Sequence, residues 1–132
     1  MIGQFTPALR TTVDVLPFRC VSVLDRGEVF LADDPEVDVT IGITDGSNRR
    51  FDDTNHASAG EPVRLQPGNI VLAEAGDTTI TVPSALRCGT GGMVYNVDDA
   101  ADIVIGHALE DATAANQVIK IWFNPSNTEL TA

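Results

Sequence analysis

The chain is 132 residues long and 43% hydrophobic, and its 19 acidic residues against 8 basic ones give a net charge of −11. That length is one domain's worth, enough to bury roughly two-thirds of the surface of the unfolded chain without metals or disulfides. An acidic surface repels phosphate backbones and anionic lipid, so nucleic acid and membrane surfaces are poor partners, whereas a basic protein surface is attracted.

No apolar run approaches the ~18 residues of a membrane span. Met1 to Pro7 lacks a basic region followed by an apolar core, so it does not read as a signal peptide, and synthesis in a cytoplasm is expected. Residues 1–17 carry Pro7, Pro17 and scattered apolar residues (Ile2, Phe5, Leu9, Val13, Val15, Leu16) and read as an extended arm. Within it, Thr11 to Leu16 is a candidate edge strand. An apolar arm needs a surface to pack on, either its own domain or a neighbour.

From Phe18 onward strand patterns dominate. Val37 to Thr44 alternates, with Val37, Val39, Ile41 and Ile43 on the face expected to be buried. Residues 45–60 read as a long polar loop containing Arg49, Arg50, Phe51 and His56; a loop of that length is usually functional or mobile. Gly60 to Leu65 reads as a strand entry, Ile70 to Ala73 and Thr78 to Val82 read as strands, Gly, Pro and Asp turns separate them, and Pro83 limits the last. Val118 to Phe123 is the final strand, with Ile119, Ile121 and Phe123 on one face and Trp122 on the other. Ala108 to Asn116 has some helix propensity but is short, and reads as a turn or a single helical turn. Residues 124–132 read as a loose polar tail.

The chain also says one thing twice. Phe18-Arg19-Cys20 opens a run that closes at Ile41-Gly42-Ile43, and Leu86-Arg87-Cys88 opens one that closes at Ile105-Gly106-His107. The openings lie 68 positions apart and the endings 64, so a small insertion or deletion separates the copies. Each copy has an apolar stretch, an acidic turn (Asp33-Asp34; Asp98-Asp99) and a second strand. In this alignment Cys20 and Cys88 match. Two copies are too few for a solenoid and fit one pseudo-symmetric, all-β barrel or sandwich, residues 18–123.

Little chemistry is left over. Two cysteines are not a disulfide framework and read as small core residues, with a bond between them left open. The acidic clusters at 33–38 and 98–102 lack the ligand spacing of a calcium loop and read as solvated turns. His56 and His107 lack zinc spacing, and His107 reads as a partly buried structural residue. A Cys/His pair would need an electropositive setting for the thiol. Gly89-Thr90-Gly91-Gly92 lacks the Lys-Ser/Thr and following helix of a phosphate loop and reads as a flexible hairpin turn. No catalytic, cofactor or metal residues are expected, and no enzyme.

Leu86-Arg87-Cys88-Gly89, Met93-Val94-Tyr95, Ile105 to Ala112 and Val118 to Ile121, in that order, resemble a pattern of tailed-bacteriophage head proteins. Ile41 to Thr44, Ala59 to Leu65 and Gly68-Asn69-Ile70 resemble its first half. The family is the capsid decoration (cement) proteins of the DUF2190 type, and the resemblance spans residues 18–123. This chain departs from it in the 45–60 loop and at Ala115-Asn116-Gln117. The resemblance implies a homo-oligomer, a trimer by preference, on the outer capsid surface of the virion, bridging subunits of the major capsid protein and stabilising the expanded head. The contact residues expected are Ile2, Phe5, Leu9 and Val13 of the arm, then Arg49, Arg50 and Phe51. The alternative is a virion-surface module that binds a carbohydrate or receptor, for which exposed Trp122 is the residue to check.

Overall fold

Alternating apolar and polar residues commit a chain to strands that bury one face. In a computed structural model, which describes residues 9–25, 27–48 and 54–125, nine strands form among the described residues. They are β1 (Arg10–Thr11), β2 (Cys20–Asp25), β3 (Glu28–Leu31), β4 (Thr40–Ile43), β5 (Ile70–Glu74), β6 (Ala85–Cys88), β7 (Val94–Asn96), β8 (Gly106–Ala108) and β9 (Val118–Phe123). They make a four-stranded sheet of order β1-β3-β2-β4 and a five-stranded sheet of order β5-β9-β8-β6-β7. The fold is all-β. Neither sheet closes into a barrel through a continuous ladder; a single parallel bridge, Ala75 to Val94, links the outer strands of the second.

The strongest pattern folds as written. In β9, Ile119, Ile121 and Phe123 are buried while Val118, Lys120 and Trp122 face out. The strand lies between β5 and β8, paired from Ile70 opposite Trp122 to Glu74 opposite Val118. Elsewhere polar side chains override the pattern. The Val37–Thr44 alternation yields a strand only over Thr40–Ile43, and Val37 and Val39 are exposed. The cause is Asp38, whose Oδ2 accepts the backbone N–H groups of Asp33 and Asp34 at 3.1 and 3.0 Å and folds 33–38 into a turn. Thr78–Val82 keeps a single bridge, Ile80 to Ala112, because the Val82 N–H goes to Asp111 Oδ1. Gly60–Leu65 pairs only at Pro62 and Leu65; Pro62 has no N–H to give to a ladder. No α-helix forms among the described residues, and 108–116 is strand end, bends and turns.

The duplication is real, but its register differs from the one read in the sequence. The Ala32 N–H donates to the Cys20 carbonyl and the Val97 N–H to that of Ala85, each at 3.0 Å. Ser22 pairs with Phe30 as Arg87 pairs with Tyr95. Cys20 therefore matches Ala85, and Cys88 matches Val23; the two cysteines are not equivalent. The copies run 65 positions apart up to the acidic turn and 64 from there to Thr44 and Ala108. The repeat also extends beyond 18–43 and 86–107. The Val15–Ala57 bridge matches Ile80–Ala112, and Thr44–Leu65 matches the Ala108–Ile121 pair of β8 and β9. The segment 45–56 occupies the place of 109–111, twelve residues against three.

Two cores result. The smaller is Val15, Val21 and Val29, with Leu9, Leu31, Ile41, Val63 and Leu65 packed against it. The larger centres on Leu86, Ile105, Ile119 and Ile121 and also takes Cys20, Ala32 and Ile43 from the first copy. A buried ion pair ties the copies together: Arg19 Nη2 lies 3.2 Å from Glu74 Oε2, and Arg19 Nη1 donates to the Gly91 carbonyl at 2.9 Å.

Candidate interaction surface

Of the contact residues expected from the sequence, Ile2, Phe5, Arg49, Arg50 and Phe51 lie outside the described residues. Leu9 is half-buried against the smaller core, and Val13 is exposed. Within the stretch read as an arm, Arg10 and Thr11 form β1 beside β3, and Val15 is fully buried. Residues 126–132 of the tail also lie outside the description.

The chemistry-bearing side chains have structural partners. Cys20 and Cys88 are buried and unbonded. Burial, reinforced by the nearby Cys88 thiol, pushes Cys20 far above its ordinary value; burial, with Asp38 and Asp33 nearby, pushes Cys88 up to about 11. Both stay thiols at neutral pH, the opposite of what a nucleophile needs. His56 is buried, with Nδ1 2.9 Å from the Ser47 carbonyl and Nε2 accepting the Arg64 N–H at 2.9 Å, which fixes Nδ1 as the protonated nitrogen. Burial works against the Asp45 carboxylate, but the Ser47 hydroxyl and N–H, His56 and Arg64 outweigh it and hold its pKa below the ordinary carboxylate range. His107, expected to be partly buried, is exposed on β8 opposite Trp122, since the alternation of a three-residue strand turns it outward. No group of three or more His, Cys, Asp or Glu side chains suited to a metal occurs among the described residues, and no helix there is long and apolar enough to cross a membrane.

The glycine turn is packed. Thr90–Gly92 forms a short 3-10 turn in which Gly91 and Gly92 take φ of 68° and 80°, conformations that a side chain resists. A Cβ on Gly92 would meet Leu31 Cδ2 at 2.9 Å and the Cys20 carbonyl at 3.0 Å. The second acidic turn is not simply solvated either. The Asp102 side chain is 2% exposed, accepts the N–H groups of Asp98 and Asp99, and faces Arg87 Nε at 3.3 Å.

Two kinds of surface remain open: a small polar cleft of about 160 Å³ lined by Ser47, Asn48, His56, Pro62, Val63 and Arg64, and larger apolar areas that face solvent. A groove of about 520 Å³ lies against the first sheet, where Val23, Leu24, Val37 and Val39 are 51%, 55%, 69% and 42% exposed beside Phe30 and Ile41. Ser22 and Asp38 are its polar walls. The second sheet exposes Ile70, Leu72, Val118 and Trp122 on the outer face of β5 and β9, with Lys120 and Glu74 interspersed among them. Contiguous exposed apolar surface on a small domain marks a place where something docks. Sequence reading missed the groove because Val37 and Val39 fitted a buried strand. A signal was present in Val21-Ser22-Val23-Leu24, where adjacent apolar residues cannot all face inward from one strand.

The residues thus assemble a tandemly duplicated two-sheet β domain with exposed apolar surface on both sheets. That fold has a solved counterpart. The chain is similar to the N base of head fiber gp8.5 of bacteriophage phi29, known from a crystal structure, with a TM-score of 0.65 and 18% sequence identity over 89% of this chain and 91% of that one. No family model matches the chain, and no curated protein matches it.

Proposed function

We propose that this protein is a structural component of a tailed-bacteriophage head, a decoration (cement) protein that sits on the outer surface of the capsid. Its fold likeness to a phage head fiber base, across nearly the full length of both chains, carries this reading. The order of the decoration-family motifs in the sequence supports it. Two separate apolar faces, one on each sheet, suit a subunit that touches more than one neighbour. In this reading it bridges subunits of the major capsid protein as a homotrimer, without catalysis or cofactor. Many copies add modest contacts that together oppose internal DNA pressure.

The test is to mix the purified chain with expanded heads of its own phage stripped of it, and with unexpanded heads. Saturable co-sedimentation with expanded heads, heads that survive more heat, and a free-solution mass near three times 14.0 kDa are expected. A monomer that never sediments with expanded heads would sink the reading. Trp122, 41% exposed and flanked across the strands by Ile70 and His107, keeps a ligand-binding module as the second reading. Saturable quenching of its fluorescence by a glycan, without head binding, would favour that one.

A further inference from the structure

Because the two halves are copies, each shows what the other lacks. On the outer face of the second sheet, Arg87 stands opposite Tyr95, its guanidinium carbon 5.0 Å from the ring centroid. Its Nε lies 3.3 Å from Asp102 Oδ2 and 3.6 Å from Asp98 Oδ1, and Nη1 donates to the Cys88 carbonyl at 3.0 Å. The arginine is held between an aromatic face and two carboxylates, an arrangement that suits a planar, weakly hydrated cation. Its side chain is only 17% exposed, and it fills its own site.

The first half keeps this receptor without the arginine. Phe30 stands where Tyr95 does, opposite Ser22 where Arg87 does. Asp38 holds its turn as Asp102 does, accepting two successive backbone N–H groups, and Asp33 stands where Asp98 does. The short serine leaves the apolar groove over Val23, Leu24, Val37 and Val39. No basic side chain pairs with Asp38 or Asp33 among the described residues.

We infer that this groove receives an arginine from a partner protein, carried on a segment with apolar flanking residues, and that it stacks on Phe30 and pairs with Asp38 as Arg87 stacks on Tyr95 and pairs with Asp102. Asp38 lends the groove a specific anionic partner, and the net charge of −11 attracts a basic segment from a distance. The inference deepens the capsid-binding reading, since on that reading the arginine belongs to the major capsid protein.

The decisive variant is Ser22→Arg, which plugs the groove from within; Ser22→Ala leaves it open. Amide NMR shifts are followed while each protein is titrated with the probe peptide acetyl-Val-Arg-Leu-amide, and with its citrulline analogue, which keeps the shape but loses the charge. In the wild type and Ser22→Ala, shifts are expected at position 22, Phe30 and Asp38 but not at Arg87 and Tyr95, weakened roughly tenfold or more with citrulline. In Ser22→Arg they should vanish while the circular dichroism spectrum is unchanged. Should that variant fail to fold, Asp38→Asn, which keeps an oxygen for the turn, should weaken the response to the level of the citrulline peptide. No shift in the wild-type groove, or an equal response in the plugged protein or in Asp38→Asn, overturns the inference. A wild-type oligomer that Ser22→Arg dissociates would make the occupant a second copy of this chain and overturn it too. With expanded heads, binding by the wild type and equally by Ser22→Arg defeats the groove but spares the capsid reading. Failure of the wild type to bind heads defeats the capsid reading, while the peptide titration still decides the groove.

Discussion

A methyl group at Gly106 would sit 1.9 Å from the Trp122 carbonyl oxygen, a backbone atom of the neighbouring strand β9. At the matching Gly42 it would meet the tip of the Leu65 side chain, Cδ1 at 2.6 Å, which can rotate away. Overpacking against backbone is far costlier than against a side-chain end. Gly106→Ala should therefore lose on the order of 3 kcal/mol or more and Gly42→Ala on the order of 1 kcal/mol, measured by urea denaturation. Equal losses would contradict this account. The sequence displays both glycines in twin Ile-Gly motifs, so the repeat is legible there. Why they are glycines is not, because the reason is the approach of a segment far along the chain. The same holds for Ser22 and Arg87, whose equivalence appears only once their cross-strand partners Phe30 and Tyr95 are known.

Among the elements, β9 was fully legible because its alternation is unbroken and nothing local competes for its backbone. β4 was half legible, since the Asp38 carboxylate captures amides that the pattern assigns to a strand. Arg19 and Glu74 were not legible as a pair at all, being brought together where the residues just before β2 meet the end of β5. Glu74 Oε2 takes the Arg19 guanidinium and also the Asn116 amide at 2.8 Å, and the Glu74 N–H donates to the Phe18 carbonyl. Removing one member of a buried pair strands the other charge away from water, at about 3–5 kcal/mol in full burial. With side chains 10% and 17% exposed, Glu74→Ala should lose about 2–3 kcal/mol, and Glu74→Gln, which keeps an acceptor, less. Thermal and urea midpoints of both variants read this out; a loss under about 0.5 kcal/mol for the alanine would mean that the pair is solvated and idle.

For the molecule as a whole, the sequence pointed to one duplicated all-β domain and the structure bears that fold class out, with two open sheets. The expected contact residues gave less, because five of the seven fall outside the described segments, while the groove depends on the three-dimensional equivalence of the halves. The larger core mixes residues of both copies, Cys20, Ala32 and Ile43 packing with Leu86, Ile119 and Ile121. Neither copy is then a separate folding unit, and two-state behaviour is expected for a chain of this size. Denaturation followed by Trp122 fluorescence, which reports on the second half, should superimpose on far-ultraviolet circular dichroism, which reports on both. Two separated transitions would show that the halves melt independently.

The acidic turn carries one more consequence. In the first half its carboxylate reaches back five residues, from Asp38 to the Asp33 amide; in the second it reaches back four, from Asp102 to Asp98. A clasp that spans either count tolerates a one-codon deletion, because the lost residue disappears inside the turn and every ladder beyond it keeps its pairing. That is how the copies absorb a one-residue difference here and still fold alike, and it marks this turn, beside the longer 45–56 segment, as a place where the two copies differ in length without disturbing a ladder.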